Sequence, residues 1–242
     1  MAKESIARNL TNVRAVINFV LREHGLPTNS AFSGLYLGET DAPKKRYVPT
    51  PSEFKSLQEL CRVQDDELRW IIGIIINTGM RLSEAVGLSK DDLSLGSDVP
   101  HIRVIPQPWR RLKTSSSERS IPLVGVSLWA AQRASEASES QFVFPKYCNE
   151  NKALSNSASA ALNKWLKHKY SGETLLHGFR HSFRDRLRAV DCPTEMVDQL
   201  GGWSAKGVGG RYGTGFRLEQ RWGYLQELHL ASNPCSCLIL DK

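Results

Sequence analysis

No part of this chain is apolar for long. The longest purely apolar run, Trp70 to Ile76 counting its glycine, is far too short to span a bilayer, and the first residues carry no signal-peptide pattern. Cysteine is sparse as well. Cys61, Cys148, Cys192, Cys235 and Cys237 are odd in number and scattered, so no disulfide framework is implied, and a reducing, cytosolic setting fits. The sequence has no Gly-rich phosphate loop with its lysine, no acidic metal cluster, no internal repeat and no low-complexity segment. Negative charge is in deficit: 25 Asp and Glu stand against 32 Lys and Arg, a formal charge of +7 over 242 residues. With an isoelectric point near 9.2, that balance favours a polyanionic partner. At 40% hydrophobic and 24% charged the composition is that of an ordinary globular protein, with ample core for one large domain or two small ones.

Periodicity gives a mostly helical chain. Ile6, Leu10, Val13, Ile17 and Val20 recur at helical spacing until Gly25 and Pro27. Residues 33–43 read as a linker closed by the basic run Lys44 to Arg46. Thr50-Pro51-Ser52-Glu53 is a capping box opening a helix to about Arg62, and Asp65 and Asp66 start a core helix that ends at Thr78-Gly79. His101 to Pro106 and Arg119 to Leu123 are strand-like runs around a polar turn, and Gln141 to Phe144 is a candidate third strand. Helices are expected from Ser155 to Lys169 and around Leu218, Trp222, Leu225 and Leu228. The expected fold is mainly α with a small antiparallel β-sheet.

The most informative stretch runs from Leu176 to Tyr212. Wound as a helix from about His177, it places Phe179, Phe183, Leu187 and Val190 on one buried stripe. His177, Arg180, His181, Arg184 and Arg188 fall on the adjoining face, within roughly 100° of one another. Gly-Gly-Trp203 follows, and Tyr212 lies nine residues beyond the tryptophan. A row of arginines with a nearby Trp and Tyr points to phosphodiester chemistry on nucleic acid.

HGFRH (177–181), LGGW (200–203) and the tyrosine after them resemble the second active-site box of the tyrosine recombinase (phage integrase) family. NTGMRLSEAVGL (77–88) resembles the first box, and LKTSSSERSIPL (112–123) the hairpin that delivers the family's lysine. Three such fragments in order over about 135 residues make a specific signal, and the resemblance covers the chain from about Tyr47 to about Leu228.

The resemblance implies a tyrosine recombinase catalytic domain over 47–242, with 1–46 as a helical fragment and linker at the end of a truncated core-binding domain. Arg81 and Arg180 would pair with the non-bridging phosphate oxygens, a task suited to a planar fork that stays charged. Lys113 would be the general acid for the 5′ hydroxyl, and His177 would pass protons. Trp203 would pack the site and donate its indole N–H where many members use histidine. Tyr212 would be the nucleophile, its phenol helped to ionise by the surrounding cations. Glu84 would orient Arg81, and His181 would support or pack. Arg184, Arg188 and Lys206 would grip backbone phosphates. The pair His177 and His181 has the i, i+4 spacing of helical zinc ligands, but Gly178 stands where a zinc protease carries glutamate and no third ligand suggests itself. No metal or other cofactor is expected, since the phosphotyrosine conserves the bond for religation.

The expected function is therefore a site-specific recombinase or integrase acting on double-stranded DNA, a monomer in solution and a tetramer on its site. The expected setting is the cytoplasm of a bacterial host, at the nucleoid, with no membrane association. Two alternatives stand beside it: a non-catalytic DNA-binding module on the same scaffold, and DNA relaxation of the type IB topoisomerase kind.

Overall fold

The computed structural model describes residues 3–27, 34–35, 49–169, 175–204 and 215–232, leaving out the side chains of Glu4, Leu175 and His177. The chain forms two compact units, Met1–Lys45 and Arg46–Lys242. The first holds α1 (Lys3–Glu23), which carries the expected apolar spacing. Gly25 follows its end at φ +63°, a left-handed turn that glycine adopts without a steric penalty.

The second unit is built around α3 (Glu67–Thr78). The Asp66 carboxylate caps it by accepting from the Arg69 N–H at 3.1 Å. Ile71, Ile72, Ile74, Ile75 and Ile76 are all buried, so the helix is surrounded on every side, as an all-round apolar helix must be. Its neighbours are α2 (Pro51–Gln64), α4 (Leu82–Val86), α5 (Gly125–Ala137), α6 (Ser155–Lys169) and α7 (Leu175–Ala189). Helix α2 opens with the capping box: Glu53 N–H donates to Thr50 Oγ1 at 3.3 Å, and Thr50 N–H to Glu53 Oε2 at 2.8 Å.

Strands β1 (Leu93–Ser94), β2 (His101–Val104) and β3 (Arg119–Pro122) make one antiparallel sheet in that order. Ile102 faces Ile121 and Val104 faces Arg119. Helices α8 (Thr194–Gly201) and α9 (Leu218–Ser232) pack on β3, so the sheet edge and the end of α7 meet in one place. On α7, Phe179, Phe183 and Leu187 are buried as the spacing requires, whereas Val190 lies just past the helix end and is half-buried. Gly79, at φ +59°, ends α3 beneath Phe183, whose ring would lie 2.3 Å from any Cβ there. The turn thus needs glycine for both its backbone and its space.

Three features differ from the expectation. Helix α5 carries no bulky stripe; its inward residues are Val126, Ser127, Ala130, Ala131 and Ala134, too small to stand out as a pattern. Strand β1 is two residues long, below the length at which alternation shows. Gln141 to Phe144 makes a single bridge, Phe142 to Ser89, rather than a strand. Two backbone bonds hold it, Lys90 N–H to Gln141 O at 2.8 Å and Val143 N–H to Leu88 O at 2.9 Å. Side-chain hydroxyls add to them: Ser138 Oγ donates to Phe142 O at 2.6 Å, and Phe142 N–H donates to Ser140 Oγ at 3.2 Å. Among the described residues, no helix is long and apolar enough to cross a membrane.

The close approach of α3 to α5 yields a prediction. Gly to Ala in a helix interior normally stabilises by about 0.5–1 kcal/mol. At Gly73 the added Cβ would lie 2.8 Å from the Ala130 Cβ, so α3 and α5 must part. Gly73→Ala is therefore expected to destabilise, by about 1–3 kcal/mol in urea unfolding. A gain in stability would show that this contact is looser than described.

Candidate active site

Two arginines share one buried carboxylate. Arg81 precedes the first residue of α4, and Glu84 is the third residue of that helix, where a carboxylate reaches back to the cap. Glu84 Oε2 accepts from the Arg81 N–H at 3.0 Å, and its Oε1 accepts from Arg81 Nη1 at 2.6 Å. The second guanidinium is Arg119, whose Nη2 donates to Oε2 at 2.9 Å. Glu84 is 2% exposed. Burial by itself would raise its carboxyl. The charge and hydrogen bond of Arg119, joined by the Arg81 contacts, outweigh that and hold it below the usual range.

Arg119 is the functional candidate that the sequence pattern concealed within RSIPL. The β3 alternation turns Arg119 and Ile121 inward. Besides Glu84, Arg119 donates from Nε to Leu200 O at 2.8 Å and from Nη1 to Ser117 O at 2.6 Å. Burial lowers its pKa, and Glu84 opposes that shift.

Arg180 comes from α7 and is 5% exposed, so it lies within the wall rather than displayed on an open face. Its two Nη atoms donate to the carbonyls of Gly79 and Gly201. The Trp203 ring stacks on it, 4.5 Å from guanidinium carbon to centroid, and takes Arg184 at 5.0 Å. The ring fits because Gly201 has no side chain; a Cβ there would lie 1.9 Å from Trp203. Arg184 is also paired with Asp198 at 2.9 Å. Burial, and then the charges of Arg119 and Arg81, bring the Arg180 pKa down to about 9, with Glu84 pulling the other way. Arg180 stays cationic at neutral pH. Arg81 and Arg180 therefore belong to one electrostatic neighbourhood.

Lys113 is exposed on the loop between β2 and β3. Behind it the loop is pinned by Arg110, which is fully buried and donates to Asp92 Oδ2 and Gly87 O, both at 2.9 Å. Ahead of it, Ser117 Oγ accepts from Arg81 Nη1 at 3.0 Å, and the Thr114 and Ser117 hydroxyls lie 3.0 Å apart. Ser116 Oγ and Ser204 Oγ are 3.3 Å apart. The lysine's loop is thus tied on one side to Arg81 and on the other to the residue after Trp203.

Residues 49–214 match the family model described as the phage integrase family. The chain belongs to that family, the tyrosine recombinases. It is a site-specific recombinase whose fold has solved counterparts. The Tn1549 transposon integrase in complex with transposon right-end DNA aligns with a TM-score of 0.63 at 16% identity, over 97% of this chain and 80% of that one. The same integrase with circular-intermediate DNA gives 0.60 at 18% identity, over 87% and 78%. The integrase from mycobacterium phage Brujita gives 0.51 at 16%, over 94% and 78%. At these identities the likeness is one of fold. No curated protein matches the chain by sequence.

Within this recombinase the structure brings Arg81, Glu84, Arg180 and Trp203 together, adds Arg119, and holds the Lys113 loop beside them. His181 is half-buried on α7, and Arg188 is exposed, 3.5 Å from Asp185. His177 stands in the first turn of α7, but its side chain, like Lys206 and Tyr212 as a whole, lies outside the described residues. Among the described residues no three His, Cys, Asp or Glu are grouped so as to hold a metal ion.

Glu84 makes the site pH-sensitive in a definite direction. Its folded pKa lies below the ordinary 4.5, so its ionisation stabilises the fold above that pH and the contribution is lost on acidification. Glu84→Gln leaves Arg81 and Arg119 without their counter-charge. It is expected to cost about 3–5 kcal/mol at pH 7 and to flatten stability against pH below about 4.5. Denaturant unfolding at pH 7 and pH 4 checks both; an unchanged acid slope would remove Glu84 from this role.

Proposed function

We propose that this recombinase breaks and rejoins double-stranded DNA through a 3′-phosphotyrosine made by Tyr212. The supporting observation is an imbalance of charge. Arg81, Arg119 and Arg180 face one buried carboxylate, Glu84, which leaves an excess of two positive charges. Burial first, and then the charges of Arg119 and Arg81, bring the Arg180 pKa down to about 9, so holding its charge there is costly. Its stacking on Trp203 returns only about 1–2 kcal/mol. A phosphodiester is an anion that two planar guanidiniums fit.

In this reading Arg81 and Arg180 hold the two non-bridging oxygens of the scissile phosphate. The Tyr212 oxygen attacks phosphorus, the bond to the 5′ oxygen breaks, and Lys113 supplies the proton that makes the 5′ hydroxyl. His177 accepts and returns protons at the attacking and leaving oxygens, and the Trp203 indole N–H donates to a phosphate oxygen. Religation is the same sequence reversed, with a 5′ hydroxyl as attacking group. Arg188 and Lys206 grip flanking phosphates, with a smaller part for Arg184, already paired with Asp198. The DNA-bound integrases of similar fold support DNA as the partner. Residues 1–46 are proposed as the end of a core-binding domain. A monomer that assembles as a tetramer on its site, in the cytoplasm of a bacterial host at the nucleoid, completes the proposal.

The test uses a pool of nicked duplexes of random sequence, incubated with the protein and resolved on a denaturing gel. The native chain is expected to retain a subset covalently, Tyr212→Phe none, and Arg180→Lys about 10²–10³-fold less per unit time. An adduct that survives Tyr212→Phe moves the nucleophile elsewhere. Duplex retention without any adduct makes the chain a non-catalytic DNA-binding module.

A further inference from the structure

We propose that Arg119 is a positioning residue of the cleavage step: by joining three chain segments it fixes Arg81 relative to Arg180, Trp203 and the Lys113 loop. This rests on the reading of Arg81 and Arg180 as a phosphate clamp. Arg119 is 7% exposed and sends three nitrogens to three different places. Nη2 reaches Glu84 at 2.9 Å, in the helix that Arg81 caps. Nη1 reaches the Ser117 carbonyl at 2.6 Å, at the end of the loop bearing Lys113. Nε reaches the Leu200 carbonyl at 2.8 Å, one residue before the carbonyl that holds Arg180 and three before Trp203. These partners are separated by up to 116 positions in sequence, so no local structure sets their spacing. Arg119 does.

Only a guanidinium can make this junction. Its donors lie in one rigid plane, whereas a lysine offers one compact ammonium on a flexible stem. Space has been kept for it: a Cβ at Gly202 would lie 2.8 Å from Arg119 Nη1. Charge matters as well as shape. With Arg119 on Oε2, Glu84 is divided between two cations and does not neutralise Arg81 alone. Arg119 directs each of its three nitrogens to an oxygen of the chain itself, on Glu84, Ser117 and Leu200, and its effect passes through Arg81.

The test compares Arg119→Lys and Arg119→Gln with the native chain on a nicked duplex that the native chain retains. The charged groups facing Glu84 are Arg81 from its own helix cap, Arg119 from β3 and Arg180 from α7, with the Arg184–Asp198 pair beyond. Arg119→Lys keeps the charge and loses the fork. Its adduct formation at saturating DNA is expected to fall about 10–100-fold while the half-saturating concentration moves less than about threefold. Arg119→Gln also releases Glu84, so the acid limb of the rate profile moves to higher pH, while Arg119→Lys leaves that limb in place. A purely structural role would scale the amount of active protein without moving the limb. Native rates and a native limb in both variants overturn the proposal. If Arg119→Gln does not fold, the rate and half-saturation of Arg119→Lys decide. If the native chain forms no adduct, the phosphotyrosine reading fails. The Glu84 carboxyl, titrated by carbon-13 NMR, then decides on Arg119: a raised titration in Arg119→Gln supports it, and an unchanged one overturns it.

Discussion

The Glu84 carboxylate, shared by Arg81 and Arg119, is the interaction on which the rest of the site depends. Burying one carboxylate between two guanidiniums is costly, and burial alone would raise its pKa. The structure accepts this because each oxygen is satisfied: one by Arg81 Nη1, the other by the Arg81 N–H and Arg119 Nη2. The result joins a helix start, a sheet strand and a helix end that no local pattern could bring together. Everything placed around the proposed phosphate is referred to that one carboxylate.

The core keeps this junction in place by close contact rather than by many polar ties. Helix α3 lies against α5 at Gly73 and Ala130, and its end turns under Phe183 at Gly79. The carbonyl of that same Gly79 takes Arg180. So the turn that ends the most buried helix also seats a charged residue of α7. A second arginine of α7, Arg186, lies over the Phe54 ring at 4.4 Å and donates to Asn77 Oδ1 at 3.2 Å. Burial lowers its pKa to about 9, and its contacts tie α7 to α3 on the side away from Trp203.

Much of this was readable in the sequence where a residue type has few roles. The capping box at Thr50, the isoleucine-rich helix, the stripe of Phe179, Phe183 and Leu187, and the pairing of Arg81 with Glu84 each follow from spacing. Helix α5 was not readable, because alanines and a serine bury as little area as many exposed faces do. Arg119 was not readable either. A strand pattern says which way a side chain points, and here an arginine occupies an inward position that alternation assigns to an apolar group. Arg180 was legible in kind but not in place: helical spacing put it on a face, and only the fold of Gly79 and Gly201 around it shows that the face is enclosed.

The Gly201-Gly202 end of α8 carries a final consequence. Its bare backbone turns the carbonyls of Leu200 and Gly201 toward Arg119 and Arg180. A carbonyl fixes a guanidinium in direction yet takes away none of its formal charge, and it has no proton to gain or lose. Aspartates in those places would have steadied the same arginines by quenching them, and would have competed with any incoming anion. The negative pole of a helix offers anchorage without neutralisation, so at neutral pH the two cations stand aligned with their charge uncancelled by these contacts.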